Sequence, residues 1–290
     1  MICSICPRKC NVDRTQQKGF CQSPDLFRLS RAALHYWEEP CISGKNGSGA
    51  VFFSGCNLKC VFCQNYEISH DNKGIEVSDK RLMEIFEQLI EQGANNINLV
   101  NPTHYAKRLS KVLSEWHSPV PIVYNSSGYE RVETLKLLDG LIDIYLPDFK
   151  YSRNDKALRY SKAENYPEIA SAALEEMNRQ VPESVFDENG IMQKGMIIRH
   201  LILPSNTNSS LEVLDYLSKN YPNAYISLMS QYTPCGDLNS FPELKRPITK
   251  REYNKVVDYA LDLGLENLFI QDLSSSDKKY IPPFDFTGIM

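Results

Sequence analysis

The chain has 290 residues, of which 42% are hydrophobic and 23% are charged. This length allows a sizeable core, and the composition is typical of a soluble globular protein. The net charge of −4 and the isoelectric point near 5.8 argue against a broad phosphate-binding face, so we do not expect nucleic-acid binding. The sequence has neither a signal-peptide pattern at its start nor an apolar stretch of transmembrane length. We therefore expect a cytoplasmic protein without membrane contact.

The first segment is rich in cysteine. Four closely spaced cysteines lie in it, namely Cys3, Cys6, Cys10 and Cys21. In a reducing compartment such a group points to metal binding or redox chemistry before disulfides. Its irregular spacing leaves three interpretations open: a zinc site, a second iron–sulfur cluster, or a folded cap with reduced thiols. Cys41 has no obvious partner, and we expect it to be a small buried residue.

The pattern predicts a helix over residues 26–37, and the glycine-rich stretch 44–49 marks a boundary. We therefore divide the chain into a cysteine-rich segment, residues 1–45, and a main domain with a C-terminal extension, residues 46–290. Strands are predicted at 51–53, 96–100, 120–124, 141–146, 196–203 and 224–229, with a short one at 268–270. Helices are predicted at 79–92, 105–116, 131–138, 211–219 and 250–263, with a mostly helical insertion that ends at Arg179. This alternation favours a parallel sheet with right-handed crossovers, and six units are too few for a closed eight-fold barrel.

A loop directly after the first of these strands carries three further cysteines, Cys56, Cys60 and Cys63. Thiolates on a tight loop suit a soft metal, and iron–sulfur clusters are held by such ligands. A 4Fe–4S cluster bound by three cysteines keeps one iron open to another ligand, which separates a reactive centre from a structural one. The alternatives are a zinc knuckle, which usually pairs two Cys-x2-Cys units, and a set of unconnected thiols.

The Cys-x3-Cys-x2-Cys loop, with Phe62 before its third cysteine, resembles the signature of the radical S-adenosylmethionine (radical SAM) superfamily. From about residue 3 to residue 264 the chain is similar to the branch around pyruvate formate-lyase-activating enzyme. The resemblance implies an open, partial (β/α)6 barrel that holds a 4Fe–4S cluster and SAM. It also implies an electron donor such as flavodoxin or ferredoxin. In such a protein the cofactor carries out the difficult chemistry, and the protein binds and orients it.

By this resemblance, the protein is an oxidoreductase that cleaves SAM reductively to a 5′-deoxyadenosyl radical, which abstracts hydrogen from a substrate. One candidate substrate is the glycine of a glycyl radical enzyme; a peptide, a small metabolite and RNA are the others. An iron–sulfur electron-transfer protein, in which both cysteine groups are closed sites, is the alternative from another class.

Polar residues follow each predicted strand, where ligand sites of parallel α/β proteins lie. Arg199 and Lys150 offer cations for the SAM carboxylate. Asp148, two positions before Lys150 and on the same side of an extended segment, is expected to hold Lys150 or a SAM hydroxyl or methionine group. The segment Asp148-Phe149-Lys150 matches the Asp-x-Lys of the activating enzymes. Asn125 and Ser126 match the family's position for the ribose hydroxyls.

Four further residues complete the expected site. Phe62 and Asn65 are expected to flank the adenine, with plain packing as the alternative for Phe62. Thr103 follows the second strand, where the family often has a glycine-rich acidic turn for the SAM amino group. Cys235 follows the sixth strand and either quenches a substrate radical or is an inert thiol.

Two histidines, His104 and His200, lie near the expected mouth. Each either touches the substrate or forms structural hydrogen bonds.

Overall fold

The computed structural model describes residues 2–271 and 281–290. Its strands are β1 (Phe27–His35), β2 (Ser48–Phe53), β3 (Ile75–Val77), β4 (Ile97–Val100), β5 (Ile122–Ser126), β6 (Ile144–Pro147), β7 (Val185–Phe186), β8 (Met192–Leu201), β9 (Tyr225–Met229) and β10 (Leu268–Ile270). Its helices are α1 (Pro40–Ser43), α2 (Tyr66–Ser69), α3 (Asp79–Glu91), α4 (Ala106–Glu115), α5 (Val132–Leu135), α6 (Asn154–Ser161), α7 (Tyr166–Gln180), α8 (Thr207–Asn220) and α9 (Lys250–Asp262).

The strands form one sheet in the order β10-β9-β8-β6-β5-β4-β2-β1-β3, with β7 added to β8. Every neighbouring pair from β2 to β10 along this order is parallel. Helices connect these strands, as expected for crossovers between parallel neighbours. The predicted partial (β/α)6 barrel is confirmed, including the short last strand.

The predicted helix over residues 26–37 is wrong. This segment forms β1, which pairs antiparallel with β2 and β3. A register shift between Leu29 and Arg31 interrupts the alternation of apolar and polar residues by which a strand is recognised in sequence. The strand adds to the edge of the barrel sheet, so the first segment and the barrel share one sheet. The division at residue 45 stays a prediction.

The helix α1 closes the amino-terminal end of the barrel interior. Its residues Cys41 and Ile42 are buried in a small apolar cluster with residues of three barrel strands, among them Val123, Leu146 and Ile197. The expectation that Cys41 is a small buried residue agrees with this position. Because the connection from β1 to α1 turns into the barrel, Glu38 and Glu39 lie inside it rather than on the surface.

No helix in the described ranges has the length and apolar character needed to cross a membrane.

Candidate active site

A cavity of about 220 Å³ lies at the carboxyl ends of the parallel strands. The three loop cysteines, Cys56, Cys60 and Cys63, line one part of it. Five of the predicted strand-end residues line another part, namely Asn125, Ser126, Asp148, Lys150 and Arg199. The structure therefore brings the main predicted residues together, as the convergence of parallel strand ends requires.

The cysteine loop is held by close backbone packing. Gly55 has φ +88°, and a Cβ there would lie 2.6 Å from the carbonyl oxygen of Cys21, so only glycine fits. The backbone N–H of Leu58 donates to Cys56 Sγ at 3.3 Å. The hydroxyl of Ser161 donates to Cys60 Sγ at 3.0 Å. Hydrogen bonds to sulfur are one of the means by which a protein tunes an iron–sulfur cluster.

The three thiols fit a cationic cluster. Burial and the neighbouring Cys60 and Cys56 raise the pKa of Cys63 to about 12, so three thiolates together need a positive centre. In the described ranges, no three His, Cys, Asp or Glu side chains are arranged to hold a single metal ion. An iron–sulfur cluster does not require that arrangement, because each cysteine binds a different iron.

A chain of ion pairs leads from the cysteines into the barrel. Lys150 interacts electrostatically with Cys60, and its Nζ lies 2.6 Å from Asp148 Oδ2. The other oxygen of Asp148, Oδ1, accepts from Arg199 Nε at 2.9 Å. Arg199 also donates to Asn125 Oδ1 at 2.6 Å and to Glu38 Oε2 at 3.2 Å. All three guanidinium nitrogens of Arg199 are thus engaged.

The charges in this chain stabilise one another despite their burial. Burial alone would raise the pKa of Asp148, but Arg199 and Lys150 outweigh it and hold that pKa below its usual range. Burial alone would lower the pKa of Lys150, but the carboxylate of Asp148 outweighs it and raises that pKa. Asp148, Lys150 and Arg199 therefore stay charged, as buried ions do when they are paired and hydrogen-bonded.

Sequence reasoning missed Glu38, which completes the network. Its Oε1 accepts from the side-chain amides of Asn98 and Asn125, each at 3.2 Å, and it lines the cavity. The segment that precedes it is predicted as a helix, and that prediction gives no indication that Glu38 lies inside the barrel. One signal was available, because Pro40 disfavours helical geometry at Glu39 and so ends any helix before it.

Residues 50–217, more than half of the chain, match the family described as the radical SAM superfamily. The chain belongs to the radical SAM superfamily. An uncharacterised protein of Methanocaldococcus jannaschii is 32% identical over 277 residues, which are 92% of this chain and 76% of that protein.

Solved structures share the fold of this chain. Streptococcus suis SuiB bound to S-adenosylmethionine superposes with a TM-score of 0.51 at 15% identity, over 75% of this chain and 48% of SuiB. Methylornithine synthase (PylB) superposes with a TM-score of 0.50 at 14% identity, over 74% of this chain and 60% of PylB. This radical SAM protein thus spans about half the length of SuiB and about three fifths of the length of PylB.

The remaining predicted cofactor residues divide into two groups. Phe62 and Asn65 line the cavity beside the cysteines. Phe62 also packs against Tyr160 and Tyr232, with ring centroids 6.4 Å and 6.0 Å away. Thr103 is not among the lining residues, because it is fully buried and its hydroxyl donates to Glu130 Oε1. At this strand end the radical SAM protein instead presents Asn101 to the cavity.

Cys235 lies against the cysteine loop. Its thiol donates to the carbonyl oxygen of Phe62 at 3.3 Å. Its role in a radical reaction stays a prediction.

Both histidines make buried structural hydrogen bonds. His104 Nε2 contacts the Ser54 carbonyl oxygen at 2.8 Å, and burial lowers the pKa of this imidazole to about 3. His200 bonds the carbonyl oxygen of Phe149 and the hydroxyl of Ser210, at 2.8 Å and 2.9 Å. Neither is among the residues that line the cavity, so the structural interpretation describes both.

The cysteine-rich cap packs on the outer side of the cysteine loop. Arg8 donates to the backbone oxygens of Asn57, at 2.7 Å, and of Ser161, at 3.1 Å. Its guanidinium carbon lies 3.9 Å from the centroid of the Phe20 ring. Cys6 and Cys21 are buried and interact electrostatically with each other, and Cys6 also interacts with Cys10. The structure describes all four cysteines of the cap and does not arrange three of them around a single metal ion, so a zinc or second-cluster site in the cap stays a prediction.

Proposed function

We propose that the protein is a radical SAM enzyme whose 4Fe–4S cluster is held by Cys56, Cys60 and Cys63. The observation that carries this proposal is that these cysteines and the strand-end residues line one cavity. When bound, the cluster supplies the electron that cleaves SAM to methionine and a 5′-deoxyadenosyl radical. A flavodoxin or ferredoxin is proposed as the source of that electron.

The chain's own residues bind and orient the cofactor. Lys150 is the cation of the network nearest the cysteines, and it is proposed to hold the SAM carboxylate. Arg199 lies on the other side of Asp148 from Lys150, and its hydrogen bonds hold the side chains of Asp148 and Asn125 in place. Asn125 and Ser126 are proposed for the ribose hydroxyls. Phe62 and Asn65 are proposed to flank the adenine, and the buried walls reduce the access of water.

The substrate proposed for the radical is a glycine of a partner enzyme. This finer assignment rests on the resemblance of Asp148-Phe149-Lys150 and of the chain as a whole to activating enzymes. A peptide or a small metabolite is the alternative within the same chemistry.

The test begins with anaerobic reconstitution of the full chain with iron and sulfide. The reduced protein is then titrated with SAM, and 5′-deoxyadenosine is quantified. We expect the wild-type protein to bind and cleave SAM. The variant that changes Cys56, Cys60 and Cys63 to alanine should lose the barrel iron. Cys41→Ala is the control, because Cys41 is buried like Cys56 and Cys60 but belongs to α1. A fully loaded wild-type protein that neither binds SAM nor forms 5′-deoxyadenosine would contradict the proposal.

A further inference from the structure

A side-chain hydroxyl from another part of the chain reaches one cysteine of the proposed cluster site. Ser161, the last residue of α6, is fully buried, and its Oγ donates to Cys60 Sγ at 3.0 Å. The helix does not need this hydroxyl, because the backbone N–H of Lys162 already donates to the carbonyl oxygens of Ala157 and Leu158. A serine in a helix commonly bonds back to a carbonyl oxygen of its own helix. Here the hydroxyl instead bonds a sulfur 101 positions away.

A second hydroxyl fixes the direction of this bond. The phenol oxygen of Tyr151 lies 2.7 Å from Ser161 Oγ, and Tyr151 is buried. A cysteine that binds iron has lost its proton, so its sulfur can only accept. The single hydrogen of the serine hydroxyl then goes to Cys60, and the hydrogen between the two hydroxyls comes from Tyr151. The three groups form a relay from Tyr151 through Ser161 to Cys60, and hydrogen bonds in such chains strengthen one another.

Backbone contacts hold this relay against the cysteine loop. The N–H of Val61 on the loop donates to the carbonyl oxygen of Tyr160 at 2.8 Å. Arg8 of the cap donates to the carbonyl oxygen of Asn57 on the loop and to that of Ser161 on the helix, at 2.7 Å and 3.1 Å. The end of α6 is therefore fixed relative to the loop, and the distance from the serine hydroxyl to the sulfur is set by the fold.

Hydrogen bonds to cysteine sulfur change how readily an iron–sulfur cluster takes up an electron. One-electron reduction adds negative charge to the cluster and to its sulfur ligands. A donor to one of these sulfurs stabilises the reduced state more than the oxidised state, because a hydrogen bond strengthens with the charge of its acceptor. Such a donor therefore raises the reduction potential, and burial strengthens the effect.

We propose that Ser161, oriented by Tyr151, is a positioning residue that raises the reduction potential of a cluster bound at Cys60. This inference rests on the proposed function, because it needs the cluster at the three loop cysteines. It gives the end of α6 a part in the electron uptake that precedes SAM cleavage. If the two hydroxyls only satisfied each other in the core, their removal would change stability and leave the potential unchanged.

The test is a redox titration of the anaerobically reconstituted full chain, with the reduced cluster quantified by electron paramagnetic resonance. In Ser161→Ala, the ratio of reduced to oxidised cluster at a fixed potential should fall at least about threefold. A tenfold change is about 59 mV for a one-electron couple, so the midpoint potential should fall by at least about 28 mV. Ser161→Thr keeps a hydroxyl and should retain the wild-type potential. Ser152→Ala is the matched control, because the Ser152 hydroxyl donates to Glu212 Oε2 at 2.8 Å, outside the relay.

Tyr151→Phe keeps the aromatic ring and removes only the phenol oxygen. It should lower the midpoint potential in the same direction by a smaller amount. Adding it to Ser161→Ala should lower the potential no further, because the relay acts through the serine. A double-mutant cycle on the midpoint potential measures this.

Wild-type midpoint potentials in Ser161→Ala and Tyr151→Phe overturn the proposal, and so does an additive fall in the double variant. If Ser161→Ala fails to fold, Tyr151→Phe alone decides. Parallel measurement of 5′-deoxyadenosine separates this inference from the proposed function. Lower potentials in the variants of a protein that cleaves no SAM support the relay and contradict the proposed function. SAM cleavage with unchanged potentials contradicts the relay alone, and the absence of a cluster at the loop contradicts both.

Discussion

At the residue scale, Arg199 joins side chains from three other parts of the chain. It binds Asp148, Asn125 and Glu38 with three different nitrogens. Removing it would leave the buried carboxylate of Glu38 without its ion-pair partner and Asp148 with Lys150 alone, and breaking a buried ion pair typically destabilises a protein by about 3–5 kcal/mol. A test of cofactor binding is cleaner at Lys150, which pairs with Asp148 alone among the carboxylates of the network.

Lys150→Met should weaken SAM binding by about 2 kcal/mol, or roughly thirtyfold, because a charge-assisted contact to the SAM carboxylate is lost. The iron content should stay unchanged, since Lys150 is not a proposed cluster ligand. Anaerobic SAM titration with parallel iron analysis measures both quantities. Lys136→Met changes an exposed lysine and is the control. An affinity equal to that of the wild type would place the SAM carboxylate elsewhere.

A second prediction at the residue scale concerns the carboxyl group of Glu130. Burial raises its pKa from 4.5 to about 8, although Thr103, Ser126 and Tyr124 bond its carboxyl and oppose the shift. Between pH 4.5 and about pH 8, the carboxyl group of Glu130 is protonated in the folded state and ionised in the unfolded state. The contribution of this group to stability therefore falls as the pH rises through this window.

Glu130→Gln should therefore gain thermal stability relative to the wild type as the pH is raised from about 5 to about 9. The difference in apparent melting temperature between variant and wild type, measured across the window, tests this. Glu188→Gln, which changes an exposed glutamate, should give a flat difference. A flat difference for Glu130→Gln as well would mean that the native carboxyl titrates normally.

At the scale of elements, α1 is the piece that closes the barrel interior. Ile42 is fully buried in the apolar cluster that it shares with Val123, Leu146 and Ile197. Ile42→Ala should lower the free energy of unfolding by about 2–5 kcal/mol through lost burial and an added cavity. Urea denaturation measures the change. Ile270→Ala is the control, because Ile270 is 46% exposed and should change stability by only about 0.5 kcal/mol. Similar losses in both variants would show that the α1 cluster does not carry this stability.

The positions of the strands and helices explain which site residues could be predicted from the sequence and which could not. Asn125, Asp148 and Arg199 could be predicted because each belongs to a barrel strand or follows one directly, and parallel strands end on the same side. Glu38 could not, since its position depends on β1 being a strand and on α1 entering the barrel. Both features arise from pairing with distant segments rather than from local pattern. Thr103 was misplaced for a similar reason, because a short helical turn buries it against Glu130.

At the scale of the whole molecule, the cap and the barrel meet at the cysteine loop through Arg8 and Gly55. We predict a second metal site in the cap. Changing both Cys6 and Cys21 to serine should remove about one zinc, or a second iron complement, while the barrel iron remains. Metal analysis after anaerobic reconstitution checks this, with Cys41→Ser as a buried-cysteine control. A metal content equal to that of the wild type would favour a cap with reduced thiols.

The contact between Glu38 and Arg199 has a consequence for how the protein is made. The two residues are 161 positions apart in the chain, so a ribosome releases Glu38 and Glu39 long before their cation exists. Contacts of such long sequence separation form late in folding, because the chain loses the entropy of closing a long loop before they reward it. The two glutamates must therefore stay hydrated until β8 has been synthesised and has joined the sheet. The ion-pair network that lines the site is therefore complete only after β8 has joined the sheet.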